Sequence, residues 1–188
     1  KIEILQARIH PHFLFNSLNT IYSFAFYDQI KSKDMLKKLY TILHYMVHDC
    51  TGDYILLENE ISAVTDYINL EKERYGERLR INVNQIGSLE GKKIAPLLLQ
   101  PFVENAFKHG ASKMISDPWI DITIHVLHEN LQFTISNGTP FFTDYAQSTG
   151  IGIENIKNRL TILYPNNYAL NISHNESSFT VKLEVPLH

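Results

Sequence analysis

The chain of 188 residues has a single cysteine, Cys50. One thiol excludes an intramolecular disulfide and any cluster of cysteine metal ligands. It fits a reducing compartment. Charge of one sign is also scarce: the net charge is -3 at pH 7. Direct binding to nucleic acid or to an anionic membrane surface is therefore not indicated. No apolar run approaches the ~18–20 residues that span a bilayer, and no signal peptide is visible. There is no internal repeat and no low-complexity segment. The first residue is Lys1 rather than Met, which fits a piece of a longer protein whose sensor or membrane part lies upstream. What is present is an apolar fraction of 44%, ordinary for a folded protein and too high for a disordered one. The length suits one large domain or two small ones.

The first 75 or so residues carry helical periodicity. Leu14, Leu18, Ile21 and Ala25 fall on one helix face, preceded by Ile2, Leu5 and Ile9. Met35, Leu39, Ile42 and Met46 repeat the spacing, with Leu36, Leu43 and Val47 widening the stripe. A third helix is predicted from about Glu58, carrying Ile61, Val64 and Ile68, with Gly52 and Asp53 as the break before it. Three helices with broad apolar faces predict a bundle, completed by a second copy. From about Arg80 the period becomes two. Ile81 and Val83 alternate with polar residues, then Ile120, Ile122, Ile124 and Val126, then Leu131, Phe133 and Ile135 after a turn at His128 and Glu129. Leu170 and Ile172, and Phe179, Val181, Leu183 and Val185, give two more strands. Two helices are predicted between strands, over residues 95–109 and 153–163. The expected fold is α+β, with an antiparallel or mixed sheet covered by helices on one face. The domain boundary is expected near 75–80.

The segment Gln6-Ala7-Arg8-Ile9-His10-Pro11-His12-Phe13-Leu14-Phe15-Asn16 carries the first candidate site. On a helix, His12, Asn16, Asn19 and Ser23 share one polar face. A neutral imidazole held on a rigid element is a competent nucleophile near neutral pH. Pro11 removes a backbone donor and bends or loosens the helix beside it. Helix geometry alone leaves other readings open. His10 and His12 fit as surface or capping residues. They could also pair with His44 and His48, which have the spacing of a helical metal clamp, although nothing in the sequence brings the two pairs together.

A second site is spread over three segments. Pro96 through Gly110 is an apolar helix with Asn105, Lys108 and His109 on one face near its end. An Asn oxygen suits Mg2+, which takes few protein ligands, and Lys108 can meet phosphate oxygens. Taken alone, this is also a helix end with a basic last turn and Gly110 as its cap. Ile135-Ser136-Asn137-Gly138-Thr139-Pro140 ends a strand in a polar turn. Gly150-Ile151-Gly152 lies directly before an amphipathic helix, where backbone amides attract phosphate and glycine lets it approach. No Gly-Lys-Ser/Thr follows, so this is neither a P-loop nor a Rossmann arrangement. Together these residues meet what phosphoryl transfer needs, which is positioning and charge neutralisation. The stretch 139–149 is expected to be a short lid.

These segments carry a family resemblance. Residues 8–21, with Pro11-His12-Phe13-Leu14-Phe15-Asn16 at their centre, closely resemble the phosphoacceptor segment of the LytS/YehU/YesM-type sensor histidine kinases. Leu57-Glu58-Asn59-Glu60 through Glu71-Lys72-Glu73-Arg74-Tyr75 is similar to the end of that family's helical region. Residues 98–110 resemble its N box, and 150–160, followed by Tyr164, its second glycine box. The resemblance covers nearly the whole chain in the right order. It implies a homodimeric helical dimerisation and phosphotransfer region over residues 1–78, then a GHKL-type ATP-binding α/β sandwich over 79–188. It implies ATP and Mg2+, autophosphorylation of His12, and transfer to a response regulator, often one with a LytTR-type output domain. Such proteins are usually anchored through upstream transmembrane helices, so this chain is expected to be the cytoplasmic portion of a membrane sensor.

By position, the resemblance makes His12 the phosphoacceptor and Asn105 the ligand of Mg2+ and phosphates. Lys108 and His109 line the phosphate side, Gly150 and Gly152 form the lid hinge and phosphate turn, and Asn155 contacts the nucleotide. Asn137 stands where an adenine-reading Asp is common, and Thr139 where Gly is usual. An Asn oxygen still accepts from the adenine amino group but lacks the charge that strengthens the bond, a loss of about 1 kcal/mol. Phe13 follows His12, so the adjacent acidic base of many histidine kinases is missing. Glu104, the carboxylate nearest the N box, is the candidate base. His10 is a competing acceptor to be excluded. Two alternatives are carried. One is a decayed, non-catalytic dimeric scaffold that binds a regulator. The other is an ATPase that does not phosphorylate itself. The acceptor and the nucleotide are expected on separate units that a domain swing brings together.

Overall fold

The computed structural model describes residues 11–140 and 150–188. Helix α1 spans Pro11–Phe24. Helix α2 spans Gln29–His44, opened by Asp28, whose side chain accepts the Lys31 N–H and so satisfies one of the free donors of the first turn. A π-helical turn, Tyr45–Asp49, extends it. A two-residue strand β1, Ile55–Leu56, leads into α3, Leu57–Tyr75. After a 3-10 turn at Gly76–Arg78 the chain enters β2, Arg80–Ile86, and then β3, Lys93–Ile94. Helix α4, Gln100–Asn105, continues as a π-helical stretch, Ala106–Ala111. Strands β4, Trp119–Leu127, and β5, Asn130–Gly138, form a hairpin. Helix α5, Gly150–Leu163, precedes β6, Ala169–His174, and β7, Ser178–Pro186.

The architecture is the expected α+β. Five strands lie in the order β2-β4-β5-β7-β6, with β1 and β3 as a separate pair. The sheet is mixed: β2 runs parallel to β4, and the other neighbours are antiparallel. Strand alternation sets the core. Ile122, Ile135 and Val181 are cross-strand partners, as are Ile124, Phe133 and Leu183, and all six are buried. Phe102 of α4 packs its ring 6.0 Å from Phe133, and Ile156 and Leu160 of α5 are buried in the same core. Each such side chain contributes roughly 1.5–3 kcal/mol by leaving water.

Three expectations are corrected in detail. In α1 the buried face is Phe13, Ser17 and Ile21, because Phe13 packs on Tyr67 of α3 with ring centroids 4.5 Å apart. Leu18 is exposed, Ala25 lies beyond the helix, and in α2 Leu36 and Val47 are exposed while Met35, Leu39, Ile42 and Met46 are buried. The N-box helix starts at Gln100 rather than 95, because Leu97 adopts a left-handed φ of 55°, which no α-helix contains. Helix α5 starts at Gly150, so Gly150 and Gly152 lie in its first turn rather than before it.

Candidate functional site

The site is built around the loop 95–99 that leads into α4. Side chains from other elements hold five backbone groups of this loop. The Ala95 N–H donates to the Tyr164 hydroxyl at 3.0 Å. The Leu97 N–H donates to Glu60 Oε2 at 2.8 Å and the Leu99 N–H to Glu60 Oε1 at 2.9 Å. Arg159 donates to the Leu97 carbonyl at 2.6 Å and also to the Pro96 carbonyl. Glu60 is fully buried, and the Tyr45 hydroxyl donates to it as well. Burial pushes the Glu60 pKa up, while the Tyr45 bond, the two backbone bonds and the Arg159 charge pull it back down. Left-handed Leu97 persists because both its N–H and its C=O are held this way. Glu60, Tyr45 and Arg159 were not singled out from sequence. A signal existed: Glu60 falls on the apolar stripe of Leu57, Ile61 and Val64, where a carboxylate needs buried donors.

So positioned, α4 carries its end to the wall of a cavity of about 840 Å3. Glu104, Asn105, Lys108 and His109 line it from α4, and Gly152 and Asn155 from α5. A Cβ built on Gly152 would lie 3.9 Å from the Asn105 amide atoms, so the α5 backbone faces that amide across the cavity. Desolvation, then the Lys108 and Lys113 charges, lowers the His109 pKa below its ordinary 6.5. Glu104 accepts from Gln100 Nε2 at 2.8 Å. From α3 come Glu71 and Arg74, ion-paired at 2.7 Å with Glu71 almost fully buried. Burial raises the Glu71 pKa, Arg74 opposes this and the Glu104 charge adds to it. This pair is a second feature that periodicity did not reveal.

The fourth wall is the start of α1. Pro11, His12 and Phe13 line the same cavity. His12 is exposed, and Asn16 Nδ2 lies 3.0 Å from its Nδ1 and 3.3 Å from its Nε2. The separation expected between acceptor and N box is therefore absent here: both face one space. Asn137 does not line it. It is buried at the end of β5, its Nδ2 donating to the Gly138 carbonyl at 2.9 Å. Gly110 is no helix cap but lies within the π-helical stretch, pressed so closely on Asn137 that a Cβ would meet its Nδ2 at 2.3 Å. Beside it, Thr139 is buried with its hydroxyl unpaired among the described residues. His10 and most of the expected lid, 141–149, lie outside the described residues. The rings of His44 and His48 stack at 4.7 Å. Among the described residues no group of three or more His, Cys, Asp or Glu side chains is placed to hold a metal.

The donor set fits a magnesium-bound polyphosphate. It offers the neutral Asn105 and Asn155 amides, the Lys108 ammonium and the Gly152 backbone at the start of a helix. The orphaned Thr139 hydroxyl leaves a polar group for a ligand at the strand end.

The chain is similar to known histidine kinases. Residues 1–79 match the family model described as Histidine kinase. The sensor histidine kinase BtsS of Escherichia coli K12 is 27% identical over 187 residues, covering 99% of this chain and 33% of BtsS. The sensor protein LytS of Staphylococcus haemolyticus is 31% identical over 200 residues, covering 100% of this chain and 34% of LytS. The chain thus spans about a third of the length of these curated relatives. The histidine kinase domain of the Erythrobacter litoralis EL346 blue-light activated histidine kinase shares the fold, with a TM-score of 0.54 at 17% identity over 97% of this chain and 91% of that one. The fold is that of histidine kinase domains. In sequence, the chain is similar to histidine kinases, and among them to the LytS-type sensors.

Proposed function

We propose that this chain is the kinase core of a two-component sensor, which binds Mg·ATP, phosphorylates its own His12 and passes the phosphoryl group to an aspartate of a response regulator. The observation that carries the reading is the shared cavity: His12 lines it together with Asn105, Lys108, His109, Gly152 and Asn155. Bound Mg·ATP supplies the phosphoryl group. The Asn105 oxygen is the group for the metal, and the Lys108 ammonium and the Gly152 amide face the phosphates. Asn16 Nδ2 lies within hydrogen-bond distance of both His12 ring nitrogens, a neighbour that can steady the ring for attack. Glu104 and Glu71 are the carboxylates within the cavity wall.

In this reading residues 1–78 form the dimerisation and phosphotransfer region and 79–188 the ATP-binding domain. The exposed stripe of Phe15, Leu18, Tyr22 and Phe26 on and just beyond α1 supports a homodimer. A regulator with a LytTR-type output would be the receiver. No helix among the described residues is long and apolar enough to cross a membrane.

The test is incubation with γ-labelled ATP and Mg2+ on wild type, His12→Gln and His10→Gln. Acid-labile label that is lost only with His12→Gln is expected. No label on any form, together with no ATP binding by calorimetry, would replace this reading with the scaffold. Hydrolysis that survives His12→Gln without label on the wild type would replace it with the ATPase.

A further inference from the structure

Resting on that reading, we propose that phosphoryl transfer is intramolecular: the cavity presents the γ-phosphate to His12 of the same chain, not to the histidine of a second copy.

Residues of its own chain seat the turn that carries His12. Its neighbour Phe13 is 4% exposed and stacks at 4.5 Å on Tyr67 of α3. Tyr67 and Tyr75 in turn each lie 6.0 Å from the ring of Phe107, the residue before Lys108. Ring contact thus runs without a break from the acceptor turn to the phosphate side of the cavity. The far end of the hairpin is tied down as well. Lys31, at the start of α2, pairs with Glu73 of α3 at 2.5 Å, and the Ser32 hydroxyl donates to the Ile21 carbonyl at 3.0 Å. Two anchors on α3, at Tyr67 and Glu73, fix where α1 lies across it.

A second copy has another place to bind. At 100° per residue, Phe15, Leu18 and Tyr22 point away from the buried face of Phe13, Ser17 and Ile21, and Phe26 follows in the turn just beyond α1. All four are exposed, from 43% to 73%. A partner seated on that stripe leaves the Phe13–Tyr67 contact intact. Pro11, His12 and Phe13 of the same chain already form part of the cavity wall, the place that a partner's histidine would have to take. In the transfer, an imidazole nitrogen of His12 forms the N–P bond. The bond from the γ-phosphorus to the β–γ bridging oxygen breaks, its electron pair leaving with ADP. The proton on the other ring nitrogen goes to solvent.

The test uses two differently tagged full chains, co-expressed and purified through both tags, then given γ-labelled ATP and Mg2+. In the pair of wild type with the doubly substituted His12→Gln, Asn105→Ala chain, label is expected on the wild-type chain at about half the wild-type dimer's level. In the pair of His12→Gln with Asn105→Ala, no label is expected. The reverse pattern, label only in the second pair, overturns the proposal. If chains do not pair, a labelling rate per chain independent of concentration supports it, and a rate rising in proportion to concentration overturns it. A wild-type dimer that takes no label at all strikes at the kinase reading instead.

Discussion

The α1–α2 hairpin and helix α3 lie against each other but are finished to different degrees. Helix α3 buries nine of its 19 residues, two of them glutamates. Helix α1 buries three of 14. The large exposed hydrophobic side chains concentrate in the hairpin, including Phe15, Tyr22, Phe26, Ile30, Leu36 and Tyr40. The difference separates two kinds of surface. Helix α3 is tied to the loop before α4 through Glu60, whose carboxylate serves two backbone amides beyond its own helix. The hairpin is packed on one side and leaves large apolar side chains exposed on the other, the kind of patch that marks an interaction surface.

The largest expected effect tests the finished side. Glu60→Ala strips three donors of their acceptor at once: the Tyr45 hydroxyl and the Leu97 and Leu99 amides. Breaking a buried charged network costs about 3–5 kcal/mol. Denaturant unfolding should show the midpoint fall with the slope unchanged. Glu60→Gln keeps one acceptor oxygen but turns an NH2 toward a donor, so it should lose less, about 1–3 kcal/mol. An unchanged midpoint for Glu60→Ala would mean that α3 is no better integrated than the hairpin.

Next in size is the seam between α4 and the sheet. In Gly110→Ala the new methyl would sit 2.8 Å from Asn137 Cβ and closer still to its amide. Asn137 Cβ is fixed to the β5 backbone and cannot rotate away, so overpacking of about 1–3 kcal/mol is expected. Gly152→Ala is the contrast, since its Cβ would have ordinary contact with Asn105. A thermal melt that drops for Gly152→Ala as far as for Gly110→Ala would remove the distinction.

Strand alternation made the sheet legible. Ile120, Ile122 and Ile124 could be placed on one buried face because a strand's period is two and nothing else in the chain competes for that face. The start of α4 was not legible. Pro96, Leu97 and Leu98 look helical by composition, and only Glu60 and Arg159, 37 and 62 residues distant, hold Leu97 out of the helix. Phase in α1 failed for a related reason. Leucines at 14 and 18 and phenylalanines at 13, 15 and 24 make a helix apolar on most sides, and which side is inner depends on Tyr67 in another helix. The candidate site was legible as three segments because each carries a polar cluster at an element's end. Glu71 and Arg74 escaped notice because their pairing hides them within a helical stripe.

The smallest effect on the single chain belongs to the unfinished side. Phe15→Ser and Tyr22→Ser remove rings that are 66% and 68% exposed. Phe, Tyr and Ser have similar helix propensities. Each change should therefore shift the stability of the lone chain by no more than about 0.5 kcal/mol. Association is a different matter. A second copy bound through this stripe adds stability that grows with protein concentration, so the wild-type melting temperature should rise with concentration and that of the doubly substituted chain should not. A large loss at every concentration would show that the stripe is packed within one chain. The hairpin would then be as finished as α3, and a partner's route to the cavity would have to be sought elsewhere.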